Sequence, residues 1–187
     1  GGDPMDLSVG DEHSWTEPPT QPDIEIPLDD ADVVEVWTRQ SMEAALSQTE
    51  TGRAAMAVEA QMKIRTTEGS EKGSEAFFSP RDAGPVAGEV GIGGAKTPVE
   101  AAIAYVHEMA HAEAFASGQV PDAAATSMDD YVAARLAEEA HAEARSIRMK
   151  HELEAAAGSS VAVTVAGEAI YVDAYRAAFD DMSARAP

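Results

Sequence analysis

The chain contains no cysteine. That absence excludes a disulfide framework and a thiolate metal site, so any zinc must be held by histidine and carboxylate. Positive charge is also scarce. Thirteen Lys and Arg stand against 34 Asp and Glu, a net charge of −21 over 187 residues, which repels nucleic acid and anionic membranes and favours solubility or a basic partner. No stretch approaches the roughly 20 apolar residues of a membrane span, and the N-terminus lacks a basic region followed by an apolar one. The expectation is a chain without a signal or membrane segment. A cysteine-free chain suits the cytosol, or passage in an unfolded state through a secretion device.

The length fits one domain carrying an arm, and suffices to bury a core. Residues 1–27 hold Pro4, Pro18, Pro19, Pro22 and Pro27 among acidic and polar residues, a composition that reads as a flexible arm. Residues 28–187 read as a single domain. Asp29 or Asp30 is placed to cap a helix through VVEVWTRQSMEAALSQ, where Val33, Val36, Trp37, Met42 and Leu46 recur near helical spacing. After an interruption at Thr49 to Gly52, RAAMAVEAQMKIRTT begins as helix and drifts into alternation at Met62, Ile64 and Thr66, as a helix feeding a strand does. EAFFSP and VAGEVGIGG read as two short strands of a small sheet, and Val86 to Ile92 is the candidate edge strand that would pair with an extended peptide.

The stretch KTPVEAAIAYVHEMAHAEAFASG follows. Thr97 can cap a helix, Pro98 suits its first position, and Glu100 completes a capping box, while Gly118 and Pro121 stop it. At its centre stands His107-Glu108-Met109-Ala110-His111, the H-E-x-x-H pattern. Residues four apart share a helix face, so His107 and His111 can reach one zinc ion. Glu108 is turned about 100° from His107. It is therefore a general base beside the ligands rather than a ligand itself.

A second capping box at Ser127 and Asp130 opens a long helix that ends near Gly158. Its segment LAEEAHAEA concentrates carboxylates, and Glu139 and Glu143 lie four apart, so one can bind the metal while the other holds the free nitrogen of a ligand histidine. Glu138 and His141 are alternative ligands. SSVAVTVAG reads as strand or loop, followed by a helix from about Glu168 to Arg185. Hydrolysis of an amide also needs a donor for the developing oxyanion, and Tyr175, Tyr171, His141 and His151 are the candidates, with Tyr175 preferred.

On these residues the chain resembles gluzincin-type zinc metallopeptidases, in which H-E-x-x-H on one helix is joined by a glutamate from a later helix, often as E-x-x-x-D. The order of Thr51-Gly52, the AFFSP and VAGEVGIGG strands, the HEMAHAEA helix and YVAARLAEEAHAEA resembles small bacterial effector and toxin-type metallopeptidase domains, over roughly residues 45 to 180. The resemblance implies an α+β, mainly helical zincin-like domain with a small sheet packed on the H-E-x-x-H helix. It implies Zn²⁺ bound by His107, His111 and Glu139, Glu108 as general base, Glu143 supporting a ligand, a protein or peptide substrate, and a life in the cytoplasm or as an effector secreted into a target cell. The rival expectation is a non-catalytic interaction module with a structural metal closed by a fourth ligand such as His141.

Overall fold

The computed structural model describes residues 37–68, 76–81 and 87–174. The chain divides into two units, Gly1–Asp30 and Ala31–Pro187, and everything below concerns the second. The arm, the turn expected at EGSEKGS and Tyr175 with the rest of the C-terminal helix lie outside the described residues.

The first helix, α1 (Arg39–Ser47), starts later than the apolar pattern suggests. Thr38 takes the cap of α1, while the expected caps Asp29 and Asp30 lie outside the described residues: the Thr38 side chain accepts from the Ser41 N–H, and the Ser41 hydroxyl accepts from the Thr38 N–H at 2.9 Å. That reciprocal box satisfies the free donors of a helix start and fixes it there. The expected break at Thr49 to Gly52 shrinks to Gln48 and Thr49. Thr49 caps α2 (Glu50–Met62), and Gly52 lies in the first turn of the new helix.

A Cβ at Gly52 would stand 2.2 Å from the Leu46 carbonyl oxygen and 2.7 Å from Leu46 Cα. These are backbone atoms of the preceding helix, so they cannot move aside. Gly52→Ala is expected to destabilise the fold by about 2–4 kcal/mol despite the higher helix propensity of alanine. Urea unfolding at an unchanged slope measures this, and a shift under about 0.5 kcal/mol would show that the elbow opens freely.

Lys63, at φ 54°, ends α2 and turns the chain into β1 (Ile64–Glu68), as the helix-to-strand drift predicts. With β2 (Phe77–Pro80) and β3 (Gly88–Ile92) it forms a three-stranded sheet in the order β1-β3-β2, parallel between β1 and β3 and antiparallel between β2 and β3. The candidate edge strand is thus the central one. Both its hydrogen-bonding edges are occupied, and the edge strand next to the H-E-x-x-H helix is β2. The β3 glycines serve this pairing, since a Cβ on Gly91 would meet the Phe77 ring at 2.3 Å and one on Gly88 the Phe78 ring at 2.6 Å.

The helix α3 (Pro98–Ala116) has the expected Thr97 cap, Glu100 capping box and Pro98 at its start. It packs against α1, α2, β2, β3 and the long α4 (Met128–Ala157), which runs from a Ser127 cap to a left-handed Gly158. Most of α3 is buried, and its alanines at 101, 102, 110, 112 and 114 let these five partners approach closely. Residues 159–165 are loop, and 168–174 are helical. Buried Val161 and Val165 hold this return segment, as does an ion pair of 2.7 Å between Lys150 and Glu168. The result is an α+β, mainly helical body with a small sheet. Among the described residues no helix is long and apolar enough to cross a membrane.

Candidate metal centre

The cap at Thr97 sets where each α3 residue falls, and it places His107 and His111 one turn apart on the face turned toward α4. Their Nε2 atoms lie 3.0 Å from each other. From α4, Glu139 brings Oε1 to 3.2 Å from His107 Nε2 and Oε2 to 3.4 Å from His111 Nε2. Ligand atoms from all three residues lie within 4.8 Å of one another.

A tetrahedral ion bound at 2.0–2.1 Å spaces its ligand atoms about 3.3 Å apart. The two Nε2 atoms at 3.0 Å, with one Glu139 oxygen 3.2 Å from His107 and the other 3.4 Å from His111, stand near that spacing. The two Nε2 atoms can share a proton as a hydrogen bond, or with the Glu139 carboxylate can turn their lone pairs on a metal ion. Burial pushes His107 below its ordinary pKa, with repulsion from a protonated His111 acting the same way and the Glu139 carboxylate opposing it. A neutral imidazole is the form that binds a metal. The three residues therefore could hold a metal ion.

Glu108 is buried at 7% exposure on the neighbouring face of α3. Burial raises its carboxyl pKa to about 7; the His111 charge and a backbone hydrogen bond from Phe78 lower it, and the Glu139 charge adds to the rise. Its neighbour Phe78 belongs to β2, whose outer edge pairs with no strand among the described residues. The Arg81 N–H donates to the Ala87 carbonyl at 2.9 Å, so by the strand period Phe77 and Ser79 also turn their backbone groups to β3, while Phe78 and Pro80 turn theirs away. Pro80 has no N–H to leave unpaired on that side.

Two cavities of about 550 Å³ each meet at this point and share Ala76, His107 and Glu108. One extends between Gly93–Lys96, Glu143 and the 162–166 loop. The other is bounded by Phe77, Phe78 and Phe115, by Tyr131 and Arg135, and by Glu138 and Glu139.

The expected residues divide accordingly. His107, His111, Glu139 and Glu108 come together. Glu143 lines the first cavity and has no hydrogen bond to either ring among the described residues; burial raises its pKa, with a further rise from the Glu139 charge and an opposing effect of His111. His141 is exposed and outside the group. Tyr171 is 39% exposed and borders neither cavity, while His151 is engaged by Glu154 and Glu168 at 3.1 and 3.5 Å. Tyr175 lies outside the described residues.

Sequence reasoning weighed Glu138 only as a metal ligand. Its Oε1 instead lies 3.0 Å from His111 Nδ1, and its other oxygen accepts from Arg135 Nη1. The signal available in the sequence was Arg135, three residues before Glu138 and thus on the same helix face. Comparison of the chain with known protein families, with curated proteins and with solved structures gives no match.

Proposed function

We propose that the chain is a zinc-dependent endopeptidase with a zincin-like fold. The observation that carries this reading is the convergence of His107, His111 and Glu139 on one point, with the buried Glu108 beside it on the floor of two joined cavities. Bound there, zinc would polarise the scissile carbonyl and acidify a water molecule.

The chain's own residues supply the rest. Glu108, with its pKa near neutrality, takes a proton from the attacking water and passes it to the departing amine nitrogen, so the carboxylate is restored at each turnover. The outer edge of β2 offers the Phe78 carbonyl to an extended substrate, its N–H being held by Glu108, which orients the peptide across α3. Cavities on both sides of Glu108 accommodate chain in both directions, which suits cleavage within a polypeptide. A non-catalytic module with a closed metal site has less support, because His141 does not join the ligand group. A delivered effector is the biological setting we propose, on resemblance alone.

The test is metal content by elemental analysis together with cleavage of an unfolded protein substrate. Wild type is expected to carry about one zinc per chain, with His111→Ala and Glu139→Ala retaining almost none. Cleavage should stop on chelation and return with zinc. A wild type that takes up no zinc when supplied with it, or cleavage that survives chelation, would refute the proposal.

A further inference from the structure

We infer that Glu138, held by Arg135, is the positioning residue that aims His111 at the metal, so that adjacent residues of α4 supply one ligand and the support of another. The inference rests on the metal reading above and departs from the resemblance, which implies Glu143 for that role.

The geometry carries it. Glu138 Oε1 lies 3.0 Å from His111 Nδ1. A carboxylate accepts only, so the proton belongs on Nδ1, and the lone pair falls on Nε2, the atom that faces His107 and Glu139. The Glu138 side chain is 8% exposed against 52% for Glu139, so it sits between helices with little room to turn. Arg135, one turn earlier, donates to its second oxygen. Both carboxylate oxygens are thereby used, and the ring of His111 is fixed in tautomer and in tilt. Glu143 lies more than one turn beyond Glu138 along α4, about 7.5 Å on by the helix rise, at the wall of the first cavity with Ser146.

The relay differs from ordinary surface pairing. Arg135 is 43% exposed, and an ion pair so open adds little to fold stability. Its removal should therefore act on the metal site through Glu138 more than on the fold.

The experiment is a zinc titration of the full chain against a chromophoric chelator, with metal-free unfolding midpoints measured in parallel. Glu138→Ala is expected to weaken zinc binding about 10- to 100-fold. Glu138→Gln keeps an oxygen that can accept from Nδ1–H, and should restore affinity to within about threefold of wild type. Arg135→Ala should fall between the two with an unchanged midpoint, and serves if Glu138→Ala does not fold. The inference is overturned if Glu138→Ala binds zinc as wild type does, if Gln is as harmful as Ala, or if Glu143→Ala weakens binding more than Glu138→Ala. A wild type that binds no zinc at all would instead overturn the metal reading itself, and is seen before any variant is made.

Discussion

Glu108→Gln is expected to retain zinc and to lower kcat for peptide hydrolysis by about 10²- to 10⁴-fold, the range that a positioned acid-base group contributes. The substitution keeps the shape of the side chain and removes only its ability to take a proton. Glu108 is not among the three residues whose ligand atoms converge, so metal content should stay at the wild-type value. The fold should not suffer either. Burial lifts the Glu108 pKa from 4.5 to about 7, so the folded, metal-free chain binds a proton more tightly than the unfolded one. Its stability therefore falls as pH rises from about 4.5 toward 7. A neutral amide removes that loss, and the metal-free variant should melt no lower than wild type at pH 7. Zinc content, melting temperature and kcat measured on one preparation separate these effects. Full zinc-dependent cleavage by Glu108→Gln would remove Glu108 from the mechanism.

The parts of the fold that could be read from the sequence are those set by neighbouring residues. Thr97, Pro98 and Glu100 define the start of α3 through contacts within four positions, and Ser127 with Gly158 bounds α4 in the same way. Once α3 exists, the spacing of His107 and His111 brings their rings together without further information. Strand order is different. Whether β3 is an edge depends on β1, which comes before it by some 20 positions and pairs parallel to it, Ile64 against Gly88. No local pattern carries that. The glycines of β3 mark where the Phe77 and Phe78 rings lie, a role visible only once the antiparallel register of β2 is known.

The same limit separates Glu139 from its neighbours. Glu138, Glu139 and Glu143 are chemically identical, and periodicity places Glu139 and Glu143 on one face. Which of them reaches a histidine depends on the rotation of α4 about its axis and on its height along α3. Packing sets both, through buried α4 residues such as Ala142, Ile147, Met149 and Leu153. The apolar pattern placed the start of α1 too early because a capping box at Thr38 and Ser41 outweighs amphipathic continuity at a helix start, and Val33 and Val36 lie outside the described residues.

Replacing Glu59 by Ala should cost about 3 kcal/mol and loosen the helix that bears the histidines. The Glu59 carboxylate on α2 accepts from Arg39 at 2.7 Å, from the Tyr105 hydroxyl at 2.6 Å and from Thr66 at 2.8 Å. Tyr105 is fully buried, two residues before His107. Truncation at 59 takes that acceptor from its hydroxyl and removes one carboxylate partner of Arg39, which keeps Glu43 at 2.5 Å, and each loss of that kind costs on the order of 1–3 kcal/mol. Burial raises the Glu59 pKa, but the hydrogen bonds from Arg39, Tyr105 and Thr66 outweigh it and hold the carboxyl below its ordinary 4.5. The folded state thus binds this proton less readily than the unfolded chain. The contribution is fully present above about pH 4.5 and is lost as pH falls through the lower folded value. The gap in unfolding free energy between wild type and Glu59→Ala should consequently be largest at neutral pH and narrow below about pH 4. Pairing Glu59→Leu with Tyr105→Phe should recover part of the loss, since both ends of one buried hydrogen bond then become apolar. A gap that stayed constant from pH 7 down to about pH 3 would mean that the loss comes from packing at position 59 and not from its charge.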